Sequence, residues 1–105
     1  GNVEVDFFNE EGQHISKLYS DSAKINQINN NLKASGNVVV ISDSGYILLS
    51  DQINWDNQYK LITSQDSVLF TDRSNTTVRG VGFVSDMDLT NYKIFQFIGS
   101  FEDSK

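Results

Sequence analysis

The 105 residues include no cysteine and no proline, and only one histidine, one tryptophan and one methionine. Without cysteine there is no disulfide framework, no thiolate nucleophile and no cysteine-ligated zinc, and one histidine cannot supply a multi-histidine metal site. Cysteine usage therefore leaves the compartment open. Positive charge is scarce too: eight Lys and Arg stand against fourteen Asp and Glu, a net charge of −6. That balance argues against a nucleic-acid partner, whose binding surface needs clustered cations to displace counterions, and against an anionic membrane surface. No apolar run approaches the ~20 residues of a spanning helix, and residues 1–8 do not resemble a signal peptide.

What the chain has in quantity is turn chemistry. Seven Gly and many Asn, Asp and Ser separate short apolar runs, the punctuation of strands joined by tight turns. An all-β chain is predicted, and its length suits a single domain over residues 1–105. Val3-Glu4-Val5-Asp6-Phe7 alternates with the period of a half-buried strand and runs into a turn at Asn9-Glu10-Glu11-Gly12. Residues 38–41 are a continuous β-branched run, which predicts burial on both faces, and Asp43-Ser44-Gly45 turns it into Tyr46-Ile47-Leu48-Leu49. Further strands are predicted at 53–55, 59–63, 67–71, 76–84 and 92–98, with turns at 56–58 and 72–75. Residues 22–32 are the one helical competitor: Ala23, Ile25, Ile28 and Leu32 stand near helical spacing, but Asn29-Asn30-Asn31 interrupts them.

A weak repeat accompanies these strands. Tyr19-Ser20-Asp21, Leu49-Ser50-Asp51 and Val84-Ser85-Asp86 each place Ser-Asp after an apolar residue, and Gly12 and Gly45 mark two apparent hairpin tips. Repeated strand-turn-strand units cannot bury an apolar face singly, so their stacking predicts an elongated roll with a continuous interior.

Catalytic and metal-binding patterns are poor. Asp86, Asp88 and Thr90 occupy the first, third and fifth positions of a calcium loop, but Asn91 replaces its glycine and Phe97 its bidentate glutamate. Glu10-Glu11 lies in a turn facing water rather than across a cleft from a second carboxylate. His14 has no nucleophile motif beside it, and reads as a solvated strand residue. Asn75-Thr76-Thr77 is a formal glycosylation sequon that otherwise reads as a polar turn. Trp55, Tyr46, Tyr59 and Tyr92 fit two readings, a sugar-stacking platform or closure of a core. No cofactor and no enzymatic activity are predicted.

Two segments carry a family resemblance. Ala34-Ser35-Gly36-Asn37-Val38-Val39-Val40, leading through Gly45 to Leu49-Ser50-Asp51-Gln52-Ile53-Asn54-Trp55-Asp56, resembles the central repeat of the LptA/LptC/OstA-like β-jellyroll family of lipopolysaccharide export. Thr77-Val78-Arg79-Gly80-Val81-Gly82-Phe83-Val84-Ser85-Asp86-Met87-Asp88-Leu89, followed by Tyr92-Lys93-Ile94 and Gly99, resembles the C-terminal signature of its LptC branch. Residues 3–18 match the strand-turn-strand before the central repeat, so the resemblance spans nearly the whole chain. The family's N-terminal transmembrane helix has no counterpart here, and the first strands of its periplasmic domain are absent or shortened upstream of Val3.

The resemblance implies a twisted, partly open β-jellyroll in the bacterial periplasm, anchored to the inner membrane by a segment this sequence does not contain. It implies an apolar groove that shields the acyl chains of lipopolysaccharide, received from an LptBFG-like ABC transporter and passed to an LptA-like periplasmic protein. A charge of −6 repels lipid A phosphates, so affinity has to come from acyl burial, at ~0.8 kcal/mol per methylene. The expected groove residues are Val38, Val40, Leu49, Ile53, Trp55, Leu61, Val68, Phe70, Val81 and Phe83; an ordinary closed core fits the same positions. Gly80 and Gly82 suit a bulge or close backbone approach where the roll bends. Tyr92, Ile94, Phe95, Phe97 and Ile98 are expected to form a final edge strand that accepts the LptA-like partner's strand, unless Lys93 and the tail Glu102-Asp103-Ser104-Lys105 blunt that edge. Two other readings compete with the lipid bridge: a carbohydrate- or protein-binding β module of the cell envelope, and an enzyme whose carboxylate pair the sequence does not reveal.

Overall fold

A computed structural model describes residues 2–102. Eight strands follow in chain order: β1 (Val3–Phe8), β2 (His14–Ser20), β3 (Ser22–Ile25), β4 (Leu32–Ser42), β5 (Ile47–Asp56), β6 (Leu61–Thr71), β7 (Thr76–Ser85) and β8 (Tyr92–Glu102). All pair antiparallel in one sheet of order β1-β2-β4-β5-β6-β7-β8, with β3 beside the first half of β4. Among the described residues the sheet does not close: β1 pairs only with β2, and β8 only with β7. The fold is therefore the open all-β roll that the turn chemistry predicts. Residues 22–32 are not helical. They form β3 and an Asn-rich turn closed by the bond from the Asn30 amide to the Asn26 carbonyl, 2.7 Å. Three consecutive asparagines favour such local bonding over helix propagation.

Several strands are longer than their alternation suggests. The separate strands expected at 46–49 and 53–55 are one strand, β5, and those at 59–63 and 67–71 are likewise one strand, β6. In each case a register shift joins the two segments: between Ser50 and Asn54 in β5, and between Ser64 and Ser67 in β6. In β5 the inward side switches from Leu48 and Ser50 to Ile53, so a period-two reading breaks there although the ladder continues, while β6 keeps Ile62, Ser64, Val68 and Phe70 inward across its shift. Neighbouring strands bend at the same level. In β4 the bulge falls at Gly36 and Asn37, with φ of 84° and 48°. The Asp21 amide bonds the Gly36 carbonyl at 2.9 Å, and the Asp21 carboxylate takes a bond from Asn37 Nδ2 at 2.9 Å. A β-carbon on Gly36 would meet Asp21 Oδ2 at 2.7 Å, so both the backbone and the close approach require glycine.

These aligned bends fold the sheet onto itself. The half that carries Phe7 and Phe70 faces the half that carries Trp55, Phe83 and Tyr92, with ring centroids 5.0 Å apart for Phe7 and Trp55 and 4.2 Å for Phe70 and Tyr92. Ser16 Oγ bonds the Met87 carbonyl at 2.7 Å across 71 residues of sequence. Leu18, Val40, Leu48, Ile53, Ile62 and Leu89 are fully buried between the halves. The Ser-Asp repeat has a structural meaning here. Ser20, Ser50 and Ser85 are all buried, each donating its hydroxyl to a backbone carbonyl near a bend, while Asp21 and Asp51 face water. Small hydroxyl side chains fit the crowded inside of a bend and satisfy the backbone it frees. Among the described residues no buried side-chain polar atom lacks a partner.

Candidate functional site

The interior between the half-sheets is the site the family resemblance points to. Seven of the ten expected groove residues line it: Val38, Val40, Ile53, Val68, Phe70 and Phe83 are buried, and Trp55 is half-buried against Phe7. The other three lie on the outer face. Leu49 alternates with the inward Leu48 and Ser50, and the bulge after Ser50 puts it on the side opposite Ile53 and Trp55. Leu61 points outward because Ile62 points inward, and Val81 pairs with the exposed Ser67 while Gly82, at φ 84°, reverses the phase before Phe83. Counting by twos across an unseen phase reversal is the cause at Leu49 and Val81, whereas β6 alternates without a break, with Ile62, Ser64, Val68 and Phe70 inward, and Leu61 is simply one position out of that phase. The inward partners that the same counting passes over are Leu18, Leu48 and Ile62, each fully buried; the adjacent apolar pairs Leu48-Leu49 and Leu61-Ile62 were the available signal.

The aromatics divide as core rather than platform. Tyr46 stacks on Phe70, Tyr92 lies over Phe70 and Phe83, and only Tyr59 stands 66% exposed. The turn 86–91 is no ion site in form: Asp86 accepts from Asn91 Nδ2 at 2.8 Å, Thr90 Oγ1 donates to Asp88 at 2.6 Å, and the folded turn presses Leu89 into the core. His14 is not merely a solvated residue. Its Nδ1 lies 2.7 Å from Asp43 and its Nε2 2.8 Å from Asp6, and these hydrogen bonds, Asp43's first, raise its pKa above the ordinary imidazole value. With both ring nitrogens facing carboxylates, it is an ionic clasp joining β1, β2 and the β4–β5 turn, not a general base.

Cavities occur at the rim of the interior. One, of about 350 Å³, opens between β1 and the β5–β6 turn, lined by Phe7, Phe8, Trp55, Lys60 and Met87 among others. At the other edge, β8 carries Phe95, Phe97 and Ile98 at 63%, 63% and 56% exposure, while Ile94 packs on the core and Tyr92 is exposed beyond its ring contacts. One cross-strand row runs from the interior to this edge: Val38, Ser50, Val68, Gly80 and Phe97 are successive partners across β4 to β8. Side chains directly opposite share a face, so the exposed Phe97 extends the buried inner surface to the unpaired edge. Gly80 allows this row to close up, since a β-carbon there would run into Ile94 and lie 2.8 Å from the Gln96 carbonyl. Of the tail expected to blunt the edge, Glu102 is the last residue of β8, and residues 103–105 lie outside the described residues.

The family model for LptC-related lipopolysaccharide assembly matches residues 2–96. The chain belongs to that family. The match covers the strands of the roll through the middle of β8, including both segments that carry the resemblance. Among curated proteins no sequence matches the chain. An LptC-related chain is a component of lipopolysaccharide transport, and the unclosed antiparallel roll is the architecture expected of it. Among the described residues no helix is long and apolar enough to cross a membrane.

Proposed function

We propose that this LptC-related domain is a non-enzymatic bridge that holds the acyl chains of lipopolysaccharide between its half-sheets. It receives the lipid from an LptBFG-like inner-membrane ABC transporter and passes it to an LptA-like periplasmic roll that adds a strand to β8. The row from Val38 to Phe97 carries this reading, because it continues the inner apolar surface to an edge where backbone groups remain for another chain to pair. The interior is closed in this conformation, so loading parts the ring contacts that bridge the halves, Phe7 with Trp55 and Phe70 with Tyr92. Acyl chains then replace protein contacts on an apolar surface, and the glycan stays outside. The competing carbohydrate-binding reading needs a platform of exposed rings, and three of its four aromatics are instead engaged with core rings.

Trp55 is the only tryptophan and stands at the rim cavity, so it reports loading directly. Titration with lipopolysaccharide is expected to shift its fluorescence, and deacylated glycan is expected to leave it unchanged. A response to the glycan equal to that of the intact lipid overturns the proposal.

A further inference from the structure

The outer face of the bent sheet differs between its halves. Near the β4–β5 turn it is apolar, with Ile41 and Leu49 each 39% exposed where the continuous runs predict burial on both faces. On the other half one cross-strand row is polar: Lys24, Lys33, Asn54, Thr63, Val84 and Lys93 are successive partners from β3 to β8. Leu32, Ile62 and Ser85, which belong to the adjacent row, are buried inside, so this row faces outward. It holds three of the chain's eight cations and no carboxylate, in a chain of net charge −6.

Lys24 and Lys33 stand directly opposite each other. Side chains so placed have β-carbons ~5 Å apart, and like charges there cost stability. Among the described residues neither lysine forms an ion pair, so no carboxylate of the chain offsets that cost. The two lysines border a groove of about 460 Å³, together with Asn54, Asp56, Leu61 and Thr63 among others. Asp56 is fixed there, since its Oδ1 accepts the Gln58 and Tyr59 amides at 2.9 and 3.0 Å. The groove thus sets two ammonium groups against each other and, beside them, an amide, a hydroxyl and a carboxylate.

We infer that this groove binds a phosphorylated sugar, with the phosphate between Lys24 and Lys33 and the sugar hydroxyls on Asn54, Thr63 and Asp56. A phosphate accepts from both ammonium groups and replaces their repulsion by attraction. The Asp56 carboxylate repels a bare anion but accepts from hydroxyl groups, so the set favours a phosphate carried on a polyol over inorganic phosphate. The charge contacts are exposed to solvent, so the dissociation constant is ~1 mM. The site lies on the face opposite the interior and does not depend on acyl loading. Trp55 borders the groove but packs its ring on Phe7, so its fluorescence follows the interior.

Titration of the isotope-labelled chain with glucose 6-phosphate, read by amide chemical shifts, tests the inference. Saturable shifts are expected at residues 24, 33, 54 and 63, with none from glucose and weaker ones from inorganic phosphate. Lys24→Gln and Lys33→Gln should each weaken binding ~3- to 5-fold, the range of an exposed ion pair. Lys93→Gln, at the far end of the same row, should leave it unchanged, and circular dichroism checks that each variant folds. Deacylated lipopolysaccharide glycan, with and without its phosphates, separates two sources of the same chemistry. Saturation by glucose 6-phosphate alone assigns a free sugar phosphate, and saturation by the glycan only while it keeps its phosphates assigns a glycan-borne one. No saturable shift from either phosphorylated probe, inorganic phosphate that binds as tightly as the sugar phosphate, or a loss on Lys93→Gln as large as on Lys33→Gln overturns the proposal.

Discussion

The hydroxyl of Ser50 lies 3.0 Å from that of Ser64, both buried where β5 and β6 bend together. Ser50 also donates to the Ser67 carbonyl at 3.0 Å, and Ser64 accepts from the Asp66 amide at 3.1 Å. The pair thus satisfies backbone groups that the β6 bulge removes from the ladder.

Replacing either serine by alanine leaves a buried partner without its bond, at a cost of ~1–2 kcal/mol each. The double replacement should cost less than the sum, because the hydroxyl–hydroxyl contact is lost once. Urea unfolding of the two single variants and the double variant measures this. Strict additivity would mean that the two hydroxyls do not act together.

The His14 clasp makes stability depend on pH with a definite sign. Its folded pKa is raised above 6.5 by the bonds to Asp43 and Asp6, so the protonated ring favours the folded state. The contribution is complete below about pH 6.5 and is lost as pH rises through the folded pKa. The difference in urea midpoint between wild type and His14→Asn should therefore be larger at about pH 6 than at about pH 9. A difference that grows with pH contradicts the clasp.

Much of the fold was legible from turn residues, because each chain reversal carries its own local chemistry. Asn9 accepts from the Glu11 and Gln13 amides, and Asp72 from the Ser74 and Thr76 amides, just where the sequence ends one strand and begins another. The bends were less legible. Nothing local distinguishes Ser50-Asp51 as a bulge within β5 from a turn between two strands, since the difference lies in pairing with β6, far along the chain. The outward placement of Leu49 follows from that, and that of Val81 from the like reversal at Gly82 in β7. The outer face was misread for a similar reason: a run such as Val38-Val39-Val40-Ile41 reports that both faces are apolar, not what covers the second one.

Strand addition at β8 is tested by proline. Amides of adjacent residues point to opposite edges, so of Phe95→Pro and Gln96→Pro one removes a donor to β7 and the other a donor on the free edge. The first should destabilise the fold by at least the ~1 kcal/mol of the ladder hydrogen bond it removes. The second should retain the circular dichroism spectrum and lose binding to the LptA-like partner. Full binding by both variants rules out strand addition at this edge.

In the proposed function, acyl chains enter between the half-sheets. A photo-crosslinking residue at Phe70, buried at the centre of the interior, or at Trp55, beside its rim, should capture lipopolysaccharide, whereas the same residue at Glu10 or Asp72, in the polar turns, should not. Deacylation should abolish the capture. Equal crosslinking at all four positions, or capture at Phe70 that survives deacylation, would contradict a lipid-holding interior.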